Sequence, residues 1–179
     1  VQVLLGCGHS RERKLSLDGN HAFGPGLVTL DMNPEVKPDI VHHMGTELPF
    51  DDDAADEIHA YDVLEHTGQQ GDWMFFFAQW MTFWRVLKPG GLFFALVPRA
   101  DRPWAWADPG HTRVILPETL TFLHQPNYTA ECRPGGTNRT DYRRWFRGDF
   151  DLVAHDIGEV QFAFVLRAVK PSRITVPER

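Results

Sequence analysis

VQVLLGCGHS, residues 1–10, sets a short apolar run, Val1 to Leu5, against the turn Gly6-Cys7-Gly8. The run reads as a buried strand, since a brief apolar stretch closed by glycine suits a parallel sheet covered on both faces. Two glycines one residue apart let the backbone turn sharply and approach a ligand with no Cβ in the way. Alone the pair is a weak signal, because any turn after a strand can carry it. The third glycine of a dinucleotide fingerprint is missing, with Ser10 or Arg11 near its place, and no helix start follows. A diphosphate is held by the amino end of such a helix, so both absences count against a dinucleotide site.

Downstream, His9 to Gly26 mixes charge, glycine and proline and reads as an irregular loop where a first helix would stand. Leu27 to Leu30 is a second strand, closed by Asp31 and the turn-like Asn33-Pro34, and Asp39 to His42 is a third, very short one. Leu48 to Ala55 is an acidic loop leading to a fourth strand, Asp56 to Tyr61. Gln69 to Leu87 is the one long helix, with Trp73, Phe76, Phe77, Trp80, Met81, Trp84 and Leu87 stepping by three and four. Pro89-Gly90-Gly91 breaks the pattern ahead of a fifth strand, Leu92 to Val97.

Beyond Pro98 the pattern loosens. Asp101 to Thr112 and Arg133 to Arg139 read as loops, Pro117 to His124 as a short helix opened by proline, and Asp141 to Phe146 as helical. Phe150 to Ile157 and Val160 to Val169 are two strands joined by a tight turn at Gly158. The expected fold is α/β: a Rossmann-like, mostly parallel sheet with a C-terminal antiparallel hairpin and a shortened first-helix region. A dinucleotide-binding domain more often continues with another parallel unit, so the hairpin also counts against an NAD-dependent oxidoreductase. Residues 1–179 are expected to form a single domain, with 99–149 inserted on the substrate side between strands five and six.

At 179 residues the chain can bury roughly two-thirds of its unfolded surface without staples. Cys7 and Cys132 cannot build a disulfide framework and match no zinc spacing, so no metal site is read and a reducing cytoplasm is the default. No apolar run reaches membrane-spanning length and no secretory leader is visible. The chain opens on VQVLL without methionine, which leaves room for residues ahead of Val1. Residues 1–97 carry 6 basic and 14 acidic side chains, whereas residues 98–149 carry 8 and 6. That is an acidic face with a mildly basic insert; a functional reading has Arg139, Arg143, Arg144 and Arg147 facing an anionic substrate. A net charge of −6 argues against indiscriminate nucleic-acid binding, which needs a broad basic footprint.

Ligands of an open parallel sheet bind outside the carboxyl ends of its strands. Asp31 ends the second strand and can accept both hydroxyls of a ribose; the structural alternative is a turn aspartate ahead of Asn33-Pro34. The fourth strand runs into Tyr61-Asp62-Val63-Leu64-Glu65-His66, beneath the cleft. Glu65 and His66 could form a hydrogen-bonded structural pair, or His66 could act as a general base near neutrality.

With these pieces in place the chain resembles the class I S-adenosylmethionine-dependent methyltransferases. It looks closest to a small branch with a GCG first motif and a VLEH fourth motif, similar to methyltransferase-like proteins of phages and prophages. The resemblance rests on VLLGCG (3–8), VTLD (28–31), DIVHHMGTELPF (39–50), DEIHAYDVLEH (56–66) and WRVLKPGGLFFALVP (84–98). It implies S-adenosyl-L-methionine as cofactor. Gly6, Cys7 and Gly8 would pass its methionine part, Asp31 its ribose, Met32 and the backbone of Met44 and Gly45 its adenine. Tyr61 and Asp62 would line the methionine side. The family usually places an acidic residue where Leu4 stands and often an aspartate where Met44 stands.

Asp108-Pro109-Gly110-His111-Thr112-Arg113 resembles the DPxHxR segment where relatives meet the acceptor, although Asp108 and Arg113 could simply pin the loop as an ion pair. The resemblance implies methyl transfer to an unidentified acceptor: a small molecule, a sugar or a nucleic-acid-linked group. His111 or His66 would be the base for a hydroxyl acceptor. Tyr61-Asp62-Val63-Leu64 is not the (N/D)PP(Y/F/W) motif of N-methylating DNA enzymes, and neither cysteine follows a proline as in cytosine C5 enzymes. The alternative is a non-catalytic module of the same fold that binds the cofactor or a partner. The oligomeric state is not legible.

Overall fold

The computed structural model describes residues 1–132 and 139–175. Seven strands form one sheet: β1 (Gln2–Leu5), β2 (Leu27–Asp31), β3 (Ile40–Val41), β4 (Ala55–Tyr61), β5 (Leu87–Pro98), β6 (Phe150–Ile157) and β7 (Gln161–Ala168). Their spatial order is β3-β2-β1-β4-β5-β7-β6. The first five run parallel, and β7 pairs antiparallel with both β5 and β6. The expected parallel sheet with its closing hairpin is therefore what the chain adopts. Strand order reverses between β1 and β4, so the ligand cleft of such a sheet belongs above their carboxyl ends.

One face is covered by α1 (Trp73–Val86). The helix starts four residues later than the apolar pattern suggests, because the Asp72 side chain accepts from the Phe75 amide at 3.0 Å and caps it. Its buried face is Phe76, Phe77, Trp80, Phe83 and Val86. The expected stripe is thus rotated slightly: Phe83 takes the core position, while Trp73, Met81 and Trp84 pack at its edges. Trp80 meets Phe83, Phe93 and Phe150 with ring centroids 5.0–5.6 Å apart, which locks helix to sheet.

The helix passes straight into β5, so Pro89-Gly90-Gly91 lies within a strand rather than ahead of one. Ala55 pairs with Leu87 and Glu57 with Leu92, which makes the three residues a bulge. Gly91 sits where a Cβ would lie 3.2 Å from the carbonyls of Ala55 and Asp56.

The opposite face has no helix after β1. Residues 9–26 run as a loop, as their composition suggests, and Leu15 and Phe23 pack on Leu4, Tyr61, Phe94 and Val165. The loop is held by buried Arg13, whose guanidinium donates to Glu57 at 2.9 Å and to the Asn20 carbonyl at 3.1 Å.

Past β5 come three short helices, α2 (Trp104–Ala107), α3 (Pro117–Leu120) and α4 (Gln125–Glu131). The first lies within a stretch expected to be loop, and the last was not foreseen. The helix expected over Pro117 to His124 closes after one turn and continues as a tighter turn, Thr121–Leu123. Asp141 to Phe146 forms a single turn, in which Tyr142 accepts from the amides of Trp145 and Phe146, instead of a helix. The loop expected at 133–139 lies, apart from Arg139, outside the described residues.

Candidate active site

The cleft edge begins at the first glycine turn. Gly6 and Gly8 both take positive φ, +56° and +50°. A Cβ on Gly6 would lie 2.4 Å from a methyl of Val63, so the β1 turn nests against the residue two beyond β4. A Cβ on Gly8 would meet nothing within 4 Å, which leaves that side of the turn open to a ligand. Cys7 is buried and its amide donates to the Leu30 carbonyl. Burial raises its thiol pKa, so it offers packing rather than a thiolate.

Asp31 stands at the end of β2. One carboxylate oxygen accepts from Gly8 N–H and the other from Asn33 N–H, both at 2.9 Å. Each oxygen keeps a further lone pair for a diol. The turn reading and the ribose reading of Asp31 are thus compatible. Arg11, not foreseen as part of the site, bridges the carbonyls of Gly8, Val36 and Lys37 and ties the two turns together. Met32 is exposed beside Asp31, whereas Met44 packs its side chain on the core and offers only backbone, as does Gly45. An open glycine turn, a carboxylate bonded to it and an exposed thioether next in sequence are compatible with a ligand such as S-adenosylmethionine, which carries an amino acid, a ribose and an adenine.

The β4 end supplies the other half. Asp62 is left-handed, at φ +57°, and its carboxylate accepts from Lys14 at 3.2 Å and Gln161 at 2.6 Å. Tyr61 turns the other way. Its ring is buried beneath the 9–26 loop, where the hydroxyl accepts from the Leu15 amide and bonds His59 Nδ1 at 2.6 Å. Asp62, not Tyr61, lines the cleft at this strand end.

A cleft of about 810 Å³ opens beside Asp62, with Glu65, His66, Trp104, Asp108 and His111 in its wall. A tight 3-10 turn, Leu64–His66, sets Glu65 inward and His66 outward. The Glu65 carbonyl accepts from the amides of Thr112 and Arg113 at 2.8 and 3.1 Å. That clasp brings His111 over His66, ring centroids 4.7 Å apart. The Glu65 carboxyl makes no hydrogen bond among the described residues, so the hydrogen-bonded pair, one of the two readings of Glu65 and His66, is not formed. Burial pushes its pKa up to about 7, with the Asp62 and Asp108 carboxylates adding to the rise and His111 opposing it.

Arg113 is not at the cleft, nor does it pair with Asp108. Its Nε donates to the Thr67 carbonyl and its Nη2 to those of Gln69 and Asp72, while the guanidinium lies 5.2 Å from the Phe76 ring centroid. It pins the loop that carries His111. Asp108 caps the Gly110 amide at 2.7 Å and holds its other oxygen 3.9 Å from His111 Nε2. Of the insert arginines, Arg139 and Arg143 are engaged by Glu131 and Asp141, whereas Arg144 and Arg147 lie exposed.

A family model described as "Methyltransferase domain" matches residues 5–95, just over half of the chain. The chain belongs to the class I S-adenosylmethionine-dependent methyltransferase family. Solved methyltransferases share its fold. A SAM-dependent methyltransferase from Archaeoglobus fulgidus superposes with a TM-score of 0.56 at 14% identity, over 93% of this chain and 85% of that one. The N-methyltransferase NodS from Bradyrhizobium japonicum gives 0.57 at 14%, over 94% and 85%. A phosphoethanolamine N-methyltransferase from Haemonchus contortus, solved with phosphoethanolamine and S-adenosylhomocysteine, gives 0.59 at 10%, over 98% of this chain but 40% of that one. No curated protein matches the chain. No helix among the described residues is long and apolar enough to cross a membrane.

Proposed function

We propose that this methyltransferase-family chain is catalytically active and methylates an acceptor bound in the cleft between Asp62 and His111. The observation that carries the reading is proximity through the end of β4: Asp62 lines the cleft, and the next residue, Val63, lies against Gly6 of the β1 turn at the strand-order reversal. Methionine-side contacts come from Gly6, Cys7, Gly8, the Tyr61 backbone and Asp62. Asp31 takes the ribose, and Met32, Met44 and Gly45 flank the adenine. The cofactor supplies a methyl group already activated on a sulfonium.

The remaining work of this chain is to align the acceptor atom in line with that methyl and to exclude water. The segment 99–149 is the acceptor-side insertion of one domain. Its exposed Trp104 and the His111–Asp108 pair wall the cleft. For a hydroxyl acceptor, His111 is oriented to take the proton. Its Nδ1–H donates to the Trp104 carbonyl at 3.2 Å, which leaves a lone pair on Nε2. His66 is held the same way by the Gly110 carbonyl. Gly6-Cys7-Gly8 and Val63-Leu64-Glu65-His66 support membership of a small branch carrying those two motifs, and two free cysteines are compatible with a reducing cytoplasm.

A methylation assay with labelled S-adenosylmethionine and panels of hydroxylated small molecules, sugars and nucleic-acid fragments tests the reading. Transfer to one panel, lost in His111→Ala with cofactor binding intact, is the expected result. Tight cofactor binding with no transfer to any panel would favour a non-catalytic cofactor-binding module. That second reading draws on Leu4, a buried apolar residue at a position the family usually fills with an acid.

A further inference from the structure

The Glu65 carboxyl is 3% exposed and has no hydrogen-bond partner among the described residues, yet it faces the cleft. A buried carboxylate is retained when a cation or a donor compensates it. Two imidazoles stand over it: one carboxylate oxygen of Glu65 and one nitrogen each of His66 and His111 lie within 4.8 Å of one another.

The tautomers are set by the backbone. His66 Nδ1 is 3.0 Å from the Gly110 carbonyl and His111 Nδ1 is 3.2 Å from the Trp104 carbonyl. A carbonyl only accepts, so both rings carry the proton on Nδ1 and present a bare Nε2. This is how metal-binding histidines are oriented: the remote N–H is anchored outside the site and the opposite nitrogen is left as ligand. Asp108, 3.9 Å from His111 Nε2, adds a second carboxylate at the rim.

We infer that Glu65, His66 and His111 form a binding site for a divalent first-row transition-metal cation in the wall of the cleft. Two imidazole nitrogens and one carboxylate oxygen suit Zn²⁺, Mn²⁺ or Co²⁺ better than Mg²⁺, which prefers oxygen ligands throughout. Metal–ligand bonds of roughly 2.1 Å in a tetrahedron put ligand atoms about 3.4 Å apart, so the cluster must contract by up to about 1.4 Å on loading. The exposed His66 ring can tilt about its Nδ1–Gly110 bond to supply that contraction, while the Glu65–Thr112 clasp keeps the other two in place. Three protein ligands leave a coordination position open to the cleft, as in catalytic rather than structural sites. The site does not depend on methyl transfer or on cofactor binding. A bound metal would occupy the Nε2 lone pairs, so the base role proposed for His111 belongs to the metal-free protein.

The test uses the full chain, stripped with a chelator and titrated with Zn²⁺, Co²⁺, Mn²⁺ and Mg²⁺ without any methyl donor. One transition-metal ion per chain is expected, with affinity at least tenfold lower in Glu65→Gln and His111→Gln and unchanged in His9→Gln. The absorption bands of bound Co²⁺ in the unmutated chain give a readout that survives if a variant fails to fold. A low-coordinate spectrum with imidazole and oxygen donors supports the site, and a hexa-aquo-like spectrum overturns it. Absence of one-to-one uptake, uptake of Mg²⁺ alone, or equal loss in His9→Gln overturns it as well.

Discussion

The amide of Gly8 donates to the carboxylate of Asp31 at 2.9 Å, so the turn after β1 and the end of β2 are joined across 23 residues of chain. The carboxylate intended for a ribose therefore shapes the glycine turn itself. Asp31→Ala removes both functions, and S-adenosylhomocysteine affinity should fall about tenfold or more, read by calorimetry. Asp31→Asn keeps an acceptor for Gly8 and should lose less. Equal affinity in both variants and the parent chain would sink the ribose assignment.

The two glycines of the turn should separate stability from binding. Gly6→Ala adds a Cβ against the Val63 methyl at a positive φ and should cost about 2 kcal/mol or more in urea unfolding. Gly8→Ala bears only the backbone strain, about 1 kcal/mol, but its Cβ projects into the open side and should weaken cofactor binding more than Gly6→Ala weakens it per unit of stability lost.

His59 should give the fold an acid-sensitive limb. Its ring is fully buried, stacked on Phe94 with centroids 4.5 Å apart, and burial depresses its pKa to about 4 against the partial support of Glu57. Unfolded histidine titrates near 6.5, so between about pH 6.5 and 4 the unfolded chain binds a proton the folded chain refuses. Stability should fall as pH drops through that window, on the order of 3 kcal/mol in total. Denaturant melts of His59→Gln should show a flatter slope there, and parallel slopes would refute the role.

Arg113→Lys keeps the charge but loses the fork that reaches three carbonyls and the contact with Phe76. A loss of about 2–3 kcal/mol is expected from thermal or urea melts. Methyl-transfer kcat should fall with it, because the same loop carries His111. A variant as stable as the parent would remove the clamp.

Fold and site were not equally readable in the chain. Parallel strands buried on both faces announce themselves as apolar runs, so β1, β2 and β5 are legible, as is α1 from its three-and-four spacing. β4, with Asp56, Glu57 and His59 in it, is marked less by composition than by its place before the Tyr61–His66 string. The bulge at Pro89-Gly90-Gly91 was hidden, because a strand that takes up three extra residues looks locally like a turn. Strand ends named Gly6, Gly8, Asp31 and Asp62 through the rule for open sheets. The Glu65, His66 and His111 cluster was harder to see. Glu65 and His66 are neighbours in sequence, but His111 arrives through backbone bonds between Glu65 and Thr112 that leave no mark on composition. The DPxHxR resemblance points Arg113 at an acceptor, or at Asp108, whereas the structure has it satisfying three carbonyls.

The loop that replaces a helix after β1 gives the molecule two sides of unequal durability. From Arg11 to Gly26 no amide donates to a main-chain carbonyl among the described residues, and the few bonds there run to side chains such as Tyr61 and Gln2. In deuterium these amides should exchange almost at once, while those of α1 and β5, beneath the Trp80 cluster, persist until global opening. Because Arg11 grips the Gly8 turn, ligand arrival at that turn should appear first as slowed exchange in this segment. The side of the sheet without a helix then reports occupancy of the cleft.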